Sequence, residues 1–210
     1  MDLSVEALMA TGPVIPVIMI DDANDAPALA NALVDGGVKV LEITLRTPAA
    51  LEAIKKARAG CPNAIVGAGT VLNPADARAA AQAGASFAVS PGLTPALSKA
   101  CAELGLPLLP GAVTATEIMT ALDLGHHALK FFPAGTSGGA PALAALASPL
   151  PQAIFCPTGG VNPDNARDYL ALPNVRCVGG SWLTPRDAMR AKDWARISQL
   201  AAAAAALPRG

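Results

Sequence analysis

The chain is short of charge, of histidine and of cysteine, and it lacks any long apolar run. Charged residues are 15% of its 210 residues, and the net charge is −1 at pH 7. No basic run or basic patch is visible, so the charge footprint of a nucleic-acid binder is missing. The four cysteines, Cys61, Cys101, Cys156 and Cys177, are widely spaced and contain no CxxC pair. That pattern reads as reduced thiols packed in a core, not as a disulfide framework. No stretch of about 18 uncharged apolar residues occurs, so no membrane-spanning helix is expected. The opening "MDLSVEALMATG" is acidic and has neither a basic n-region nor a long apolar core, so it does not read as a signal peptide. A cytoplasmic protein is the expectation. What is present in quantity is apolar: 52% of residues are hydrophobic, enough for a sizeable core. The length fits one domain over 1–210.

A repeating rhythm organises the chain. Eight β-prone runs recur: "VIPVIMI" from 14, "VLEITL" from 40, "AIVGAGTV" from 64, "FAVSP" from 87, "LPLLPGAV" from 106, "ALKFFP" from 128, "AIFCPTGG" from 153 and "VRCVGGSW" from 175. Alanine-rich stretches with helical spacing lie between them, and the alanine run at 201–206 sits in a similar helical context. In "NPADARAAAQAG", Asn73 is placed to cap, Pro74 takes the first helical position and Gly84 ends the helix. Strand and helix alternate eight times, which argues for parallel strands joined by helical crossovers. Eight units favour an α/β fold of the closed (β/α)8 TIM-barrel type, with an extra helix at about 3–10 covering its bottom. The rival is an open doubly wound sheet. "VGAGTVL" tempts toward a dinucleotide fingerprint, but Leu72 follows Gly67 and Gly69 where the third glycine belongs.

Strand parity then sorts the polar residues. In "LEITLR", Leu41, Ile43 and Leu45 form one set, which should face the helices. Glu42, Thr44 and Arg46 form the other, directed inward. In "LKFFP", Lys130 and Phe132 share a face. Burying an unpaired charge costs several kcal/mol, so inward charges need a reason. One reason is a structural Glu42–Lys130 ion pair, although a barrel core fills with valine and leucine at no such cost. The other is chemistry. A lysine amine attacks a ketone only when unprotonated, and apolar surroundings of the kind Phe131 and Phe132 would provide favour that form. Glu42 is then the one inward strand carboxylate available as acid and base.

Glycines supply a second component. "PTGG" ends the seventh run and "GGS" lies in the eighth. Loops after strands seven and eight of barrels often bind phosphate, because glycines let backbone N–H groups approach the oxygens. No metal site is expected. His126 and His127 are the only histidines; they precede the sixth run, on the bottom face, and as neighbours point in different directions.

Taken in order, "EITLRT", "GAGTV", "VSPG", "LKFFPA", "PTGG" and "GGSW" resemble the 2-keto-3-deoxy-6-phosphogluconate (KDPG) aldolase and 4-hydroxy-2-oxoglutarate (KHG) aldolase family over essentially the whole chain. The resemblance implies a class I, Schiff-base aldolase on a (β/α)8 barrel, a homotrimer without metal or other cofactor. Such an enzyme splits the phosphorylated keto acid to pyruvate and glyceraldehyde 3-phosphate in the Entner–Doudoroff pathway, and often 4-hydroxy-2-oxoglutarate to pyruvate and glyoxylate. It further implies that Lys130 forms the imine, that Glu42 is the general acid and base, and that Arg46 holds the carboxylate end of the substrate. Thr70, Pro91 and Phe132 would line the pyruvate pocket, and Thr158 would bind near the carboxylate. Gly159, Gly160, Gly180 and Ser181 would cradle the phosphate.

Two departures bear on the substrate. Some relatives carry an arginine near the end of the first strand, where this chain has Met19 and Ile20. "EITLRT" is closer to the gluconate branch than to the galactonate branch, whose counterpart usually lacks this arginine. The "GTSGG" loop at 135–139 is left without a role, and Asp21 and Asp22 read as solvated loop charges. The alternatives are a 2-keto-3-deoxy-6-phosphogalactonate aldolase, a phosphosugar isomerase using Glu42 as base, and a non-catalytic phosphate-binding barrel.

Overall fold

The computed structural model describes residues 4–209; Leu3, the first residue of the expected N-terminal helix, lies outside them. Helices and strands alternate along the chain. The order opens with α1 (Val5–Ala10), β1 (Val14–Ile18), α2 (Ala26–Asp35), β2 (Val40–Thr44), α3 (Ala50–Gly60) and β3 (Ile65–Gly69). It continues with α4 (Pro74–Gln82), β4 (Ala88–Val89), α5 (Pro95–Glu103), β5 (Leu108–Leu109), α6 (Ala115–Asp123) and β6 (Ala128–Phe131). It closes with α7 (Gly139–Ala147), β7 (Ile154–Pro157), α8 (Ala166–Leu170), β8 (Val178–Gly180), α9 (Arg186–Ala191) and α10 (Trp194–Ala205). The alanine run belongs to α10.

Local chemistry accounts for the boundaries. The Asn73 side chain accepts from the N–H groups of Ala75 and Asp76, Pro74 starts α4, and Gly84 turns the chain at φ 85°. Thr114 and Glu117 form a reciprocal capping box at the start of α6. Strand spans are shorter than the apolar runs that signal them. Pro107 and Pro110 flank β5 and have no N–H to give a ladder, so the run from 106 to 113 keeps only Leu108 and Leu109 as strand. Arg46 likewise lies two residues beyond the end of β2, at the strand's mouth and not within it.

All strand pairings are parallel. Six strands run in the order β5-β4-β3-β2-β1-β8 in a strongly curled sheet, and β6 pairs with β7. Single parallel bridges join the two sheets: Gly111 with Lys130 on one side, and Phe155 with Val175 and Thr158 with Gly179 on the other. Lys130 N–H donates to Pro110 O at 2.8 Å, and Ala112 N–H donates to Lys130 O at 2.9 Å.

Parity separates two apolar clusters. Leu41, Ile43, Val66 and Ala68 pack outward with Leu29, Leu33 and Ile54 of the helices. Ile15, Val40, Phe87, Val89, Leu109, Ala128, Cys156 and Cys177 form an inner cluster, joined by Leu8 and Met9 of α1. The inner cluster lies toward the N-terminal ends of the strands. It leaves Glu42 and Lys130, further along β2 and β6, to sit above it.

Candidate active site

Glu42 and Lys130 come from strands far apart in sequence, yet Lys130 Nζ donates to Glu42 Oε1 at 3.2 Å. Both are buried, with side chains 3% and 4% exposed. Two further features fix the pair. Nζ lies 5.2 Å from the centroid of the Phe132 ring, within cation–π range. Gly69, level with Thr44 on the neighbouring strand β3, leaves the space the glutamate fills: a methyl there would stand 2.6 Å from Glu42 Cγ. A glycine ends that strand because the carboxylate occupies the volume a side chain would need.

A cavity of about 610 Å³ opens beside this pair, at the C-terminal ends of the strands. Phe132 lines it and so connects it to the buried amine. Arg46, Thr158, Gly159, Gly160, Gly180 and Ser181 line it as well. Thr158 is buried and donates to Cys156 O at 3.3 Å, and Gly179 leaves room for it, since a Cβ there would meet Thr158 Cγ2 at 2.9 Å. Gly159 and Gly160 take φ of 91° and 77°, a left-handed pair that a side chain would strain. Their carbonyls are tied down by Gly135 N–H at 2.9 Å and Asn165 Nδ2 at 2.9 Å. Among the described residues, the N–H groups of Gly159, Gly160 and Ser181 donate to no protein acceptor. Free N–H groups on a cavity wall are donors for an anion's oxygens. The "GTSGG" loop thus acquires a place, packed against the "PTGG" turn.

Glu42, Lys130, Thr70 and Pro91 are not on the cavity wall itself, and Phe132 is the contact between the cavity and the amine. Thr70 holds a positive φ of 58°, uncommon for a β-branched residue, and its Oγ1 accepts from Arg46 Nε at 2.9 Å. Pro91 is half-buried beyond β4, its carbonyl against Gly111.

The wall also carries residues that the sequence did not single out. Asp21, Asp22 and Asp25 follow β1, and Arg186, Met189 and Arg190 belong to α9. Asp25 is paired with Lys192 at 2.6 Å, and this bond holds the Lys192 ammonium above its ordinary range. Asp21 and Asp22 are exposed loop charges, as expected, and they also border the cavity. The one available signal was position: an arginine pair spaced by four, Arg186 and Arg190, begins six residues after Gly180.

The remaining candidates stand apart. All four cysteines are free and buried. Burial pushes the Cys101 thiol up to about 11, and a hydrogen bond with Cys156, followed by burial, raises Cys177 well above the thiol range. His126, before β6, shares a 2.8 Å hydrogen bond with Ser98 Oγ, and burial lowers its pKa against a smaller opposing effect of Glu6. Among the described residues no three His, Cys, Asp or Glu side chains cluster to hold a metal ion, and no helix is long and apolar enough to cross a membrane.

Comparison with known proteins places this geometry. A family model described as KDPG and KHG aldolase matches residues 5–200. The KHG/KDPG aldolase of Escherichia coli (strain K12) is 53% identical over 198 residues, 94% of this chain and 93% of that one. The KDPG aldolase of Legionella pneumophila, solved with pyruvate captured at low pH as a covalent carbinolamine intermediate, is 45% identical with a TM-score of 0.93, covering 96% of this chain and 98% of that one. The 2-keto-3-deoxy-6-phosphogluconate aldolase of Zymomonas mobilis ZM4, solved with 3-phosphoglycerate, is 49% identical with a TM-score of 0.93, covering 98% and 96%.

Proposed function

The chain belongs to the KDPG and KHG aldolase family, and from that premise we propose the roles of its residues in a Schiff-base retro-aldol reaction. The protein is a lyase. It splits 2-keto-3-deoxy-6-phosphogluconate into pyruvate and glyceraldehyde 3-phosphate, and 4-hydroxy-2-oxoglutarate into pyruvate and glyoxylate. The observation that carries the assignment of roles is the 3.2 Å approach of two buried, oppositely charged side chains beside a glycine-walled cavity.

Lys130 Nζ attacks the C2 ketone and water leaves, giving an iminium that draws electrons from the C3–C4 bond. Glu42, directly or through a water, takes the proton of the C4 hydroxyl. The C3–C4 bond breaks, the aldehyde departs and an enamine remains. Glu42 returns its proton to C3, and hydrolysis releases pyruvate and regenerates the amine. One carboxyl serves both steps because it gives back the proton it accepted. The carboxylate that accepts the ammonium's hydrogen bond in the resting protein is thus the group next to the reacting atoms once the amine is consumed.

Arg46, with Thr70 fixed to its Nε, and Thr158 hold the substrate carboxylate, while Phe132 and Pro91 bound the pyruvate end. Gly159, Gly160 and Ser181 receive the phosphate through their N–H groups, with Gly180 beside them on the cavity wall. Contacts to phosphate, remote from C4, hold the breaking bond in line with the iminium. The eight strands act as one closed (β/α)8 barrel in a single domain over 1–210, with α1 as an additional helix across its N-terminal end. The bridges at Gly111–Lys130 and Thr158–Gly179 and the packing of Leu8 and Met9 support that arrangement. The reaction takes place in the cytoplasm, in a homotrimer, without metal or other cofactor.

Incubation with pyruvate and sodium borohydride, followed by peptide mass spectrometry, tests the roles. A reduced pyruvyl adduct on Lys130, absent in Lys130→Met, is the expected result. Folded protein with Lys130 unmodified would overturn the assignment and return the isomerase and binding alternatives to consideration.

A further inference from the structure

The glycine turns offer N–H groups to a phosphate but no compensating charge, and the arginines of α9 lie on the same cavity wall. Arg186, Met189 and Arg190 occupy positions i, i+3 and i+4 of α9, one face of the helix, and all three line the cavity. The other residues of the helix hold it in place. Ala188 is buried, Asp187 is paired with Arg196 of α10 at 2.7 Å, and Lys192, at the end of the helix, is paired with Asp25 at 2.6 Å. Among the described residues Arg186 and Arg190 take part in no ion pair and no side-chain hydrogen bond, whereas Arg46, the third arginine of the wall, is engaged with Thr70. An anchored helix therefore presents two uncommitted guanidinium groups to the cavity that the glycine turns also line.

We propose that Arg186 and Arg190 neutralise the substrate phosphate and so set the preference of this site for phosphorylated over unphosphorylated keto acids. The inference rests on the aldolase reading given above. Guanidinium groups suit the role because they form forked, charge-assisted hydrogen bonds to phosphate oxygens. The adjoining loop after β1 adds to the requirement. Asp21 and Asp22 face the same space, and with both arginines removed they would outnumber Arg46 there. A dianionic phosphate would then enter a cavity of its own sign. A substrate that ends in a carboxylate nearer the reacting carbons, such as 4-hydroxy-2-oxoglutarate, makes less use of α9.

The test compares kcat/KM for 2-keto-3-deoxy-6-phosphogluconate and for 4-hydroxy-2-oxoglutarate in the native protein, in Arg186→Gln with Arg190→Gln, and in Arg186→Lys with Arg190→Lys. The ratio of the two values should fall roughly ten- to hundredfold in the glutamine variant, mainly through KM, and recover in part in the lysine variant. Competitive inhibition by inorganic phosphate should weaken in the same order. A ratio unchanged in the glutamine variant overturns the inference, and so does an equal loss on both substrates, which would mark a structural role. Pyruvate trapping on Lys130 of the native protein separates the two claims. If trapping fails there, the aldolase roles fall; if it succeeds and the ratio does not move, only the role of α9 falls.

Discussion

Lys130→Met removes the ammonium that lies 3.2 Å from Glu42 and leaves a carboxylate whose side chain is 3% exposed. Methionine fills a similar volume, so the change isolates charge from packing. A lone buried carboxylate can stay ionised at a cost of several kcal/mol, or it can take up a proton. For a glutamate that ordinarily titrates at about 4.3, protonation at pH 7 costs about 4 kcal/mol, which caps the penalty. At pH 5 the same step costs about 1 kcal/mol. The folded variant then holds a proton that its unfolded chain releases above that ordinary value, so the variant gains stability relative to the native protein as pH falls. Urea unfolding at pH 7, 6 and 5 measures the difference. The expected deficit is up to about 4 kcal/mol at pH 7 and shrinks toward about 1 kcal/mol at pH 5. Adding Glu42→Gln, which leaves no charge, should restore most of the loss at pH 7. A deficit that is the same at pH 5 and pH 7, or a double variant as unstable as Lys130→Met alone, would refute the reasoning.

Gly69→Ala tests the carboxylate without altering its chemistry. No left-handed backbone is needed at Gly69, but the new methyl would collide with the Glu42 side chain and displace it from Lys130. Overpacking should cost about 1–3 kcal/mol, and kcat/KM should drop on the order of a hundredfold; activity within about threefold of native would show that Glu42 has room to spare. His126 gives a stability signature remote from the cavity. Burial lowers its pKa from 6.5, so just below that value the unfolded chain binds a proton the folded chain refuses. Its contribution is complete above 6.5 and is lost as pH falls through the lowered value. His126→Gln should flatten the stability-versus-pH curve as pH falls below about 6.5, and an unchanged slope would count against the assignment.

Much of this protein is written locally in its sequence. The rhythm of β-prone and alanine-rich stretches gives the alternation of elements, because caps such as Asn73, starts such as Pro74 and stops such as Gly84 act within a few residues of themselves. Period-two parity separates Leu41 and Ile43, which meet the helices, from Glu42, which meets Lys130. The lysine in an apolar run and the glycines of "PTGG" and "GGS" flag the chemistry, since neither suits the interior of an ordinary strand.

Tertiary structure decided the rest. No local pattern brings the strand carrying Glu42 across from the one carrying Lys130; the curl of the sheet does that, and Gly69 opens the volume in which they meet. Nor does parity reach past the end of a strand, so the attachment of Arg46 to Thr70, with its positive φ, could not be read from "EITLRT" and "GAGTV". Asp21, Asp22, Arg186 and Arg190 look like surface charge along the chain, where nothing distinguishes a solvated loop from a cavity wall. They become parts of one site because β8 and β1 are neighbours in the sheet, which sets the loop after one strand beside the helix after the other. Side-chain period is a property of the backbone a few residues either way, whereas the walls of a site are set by strand order and curvature, which only the packed chain possesses.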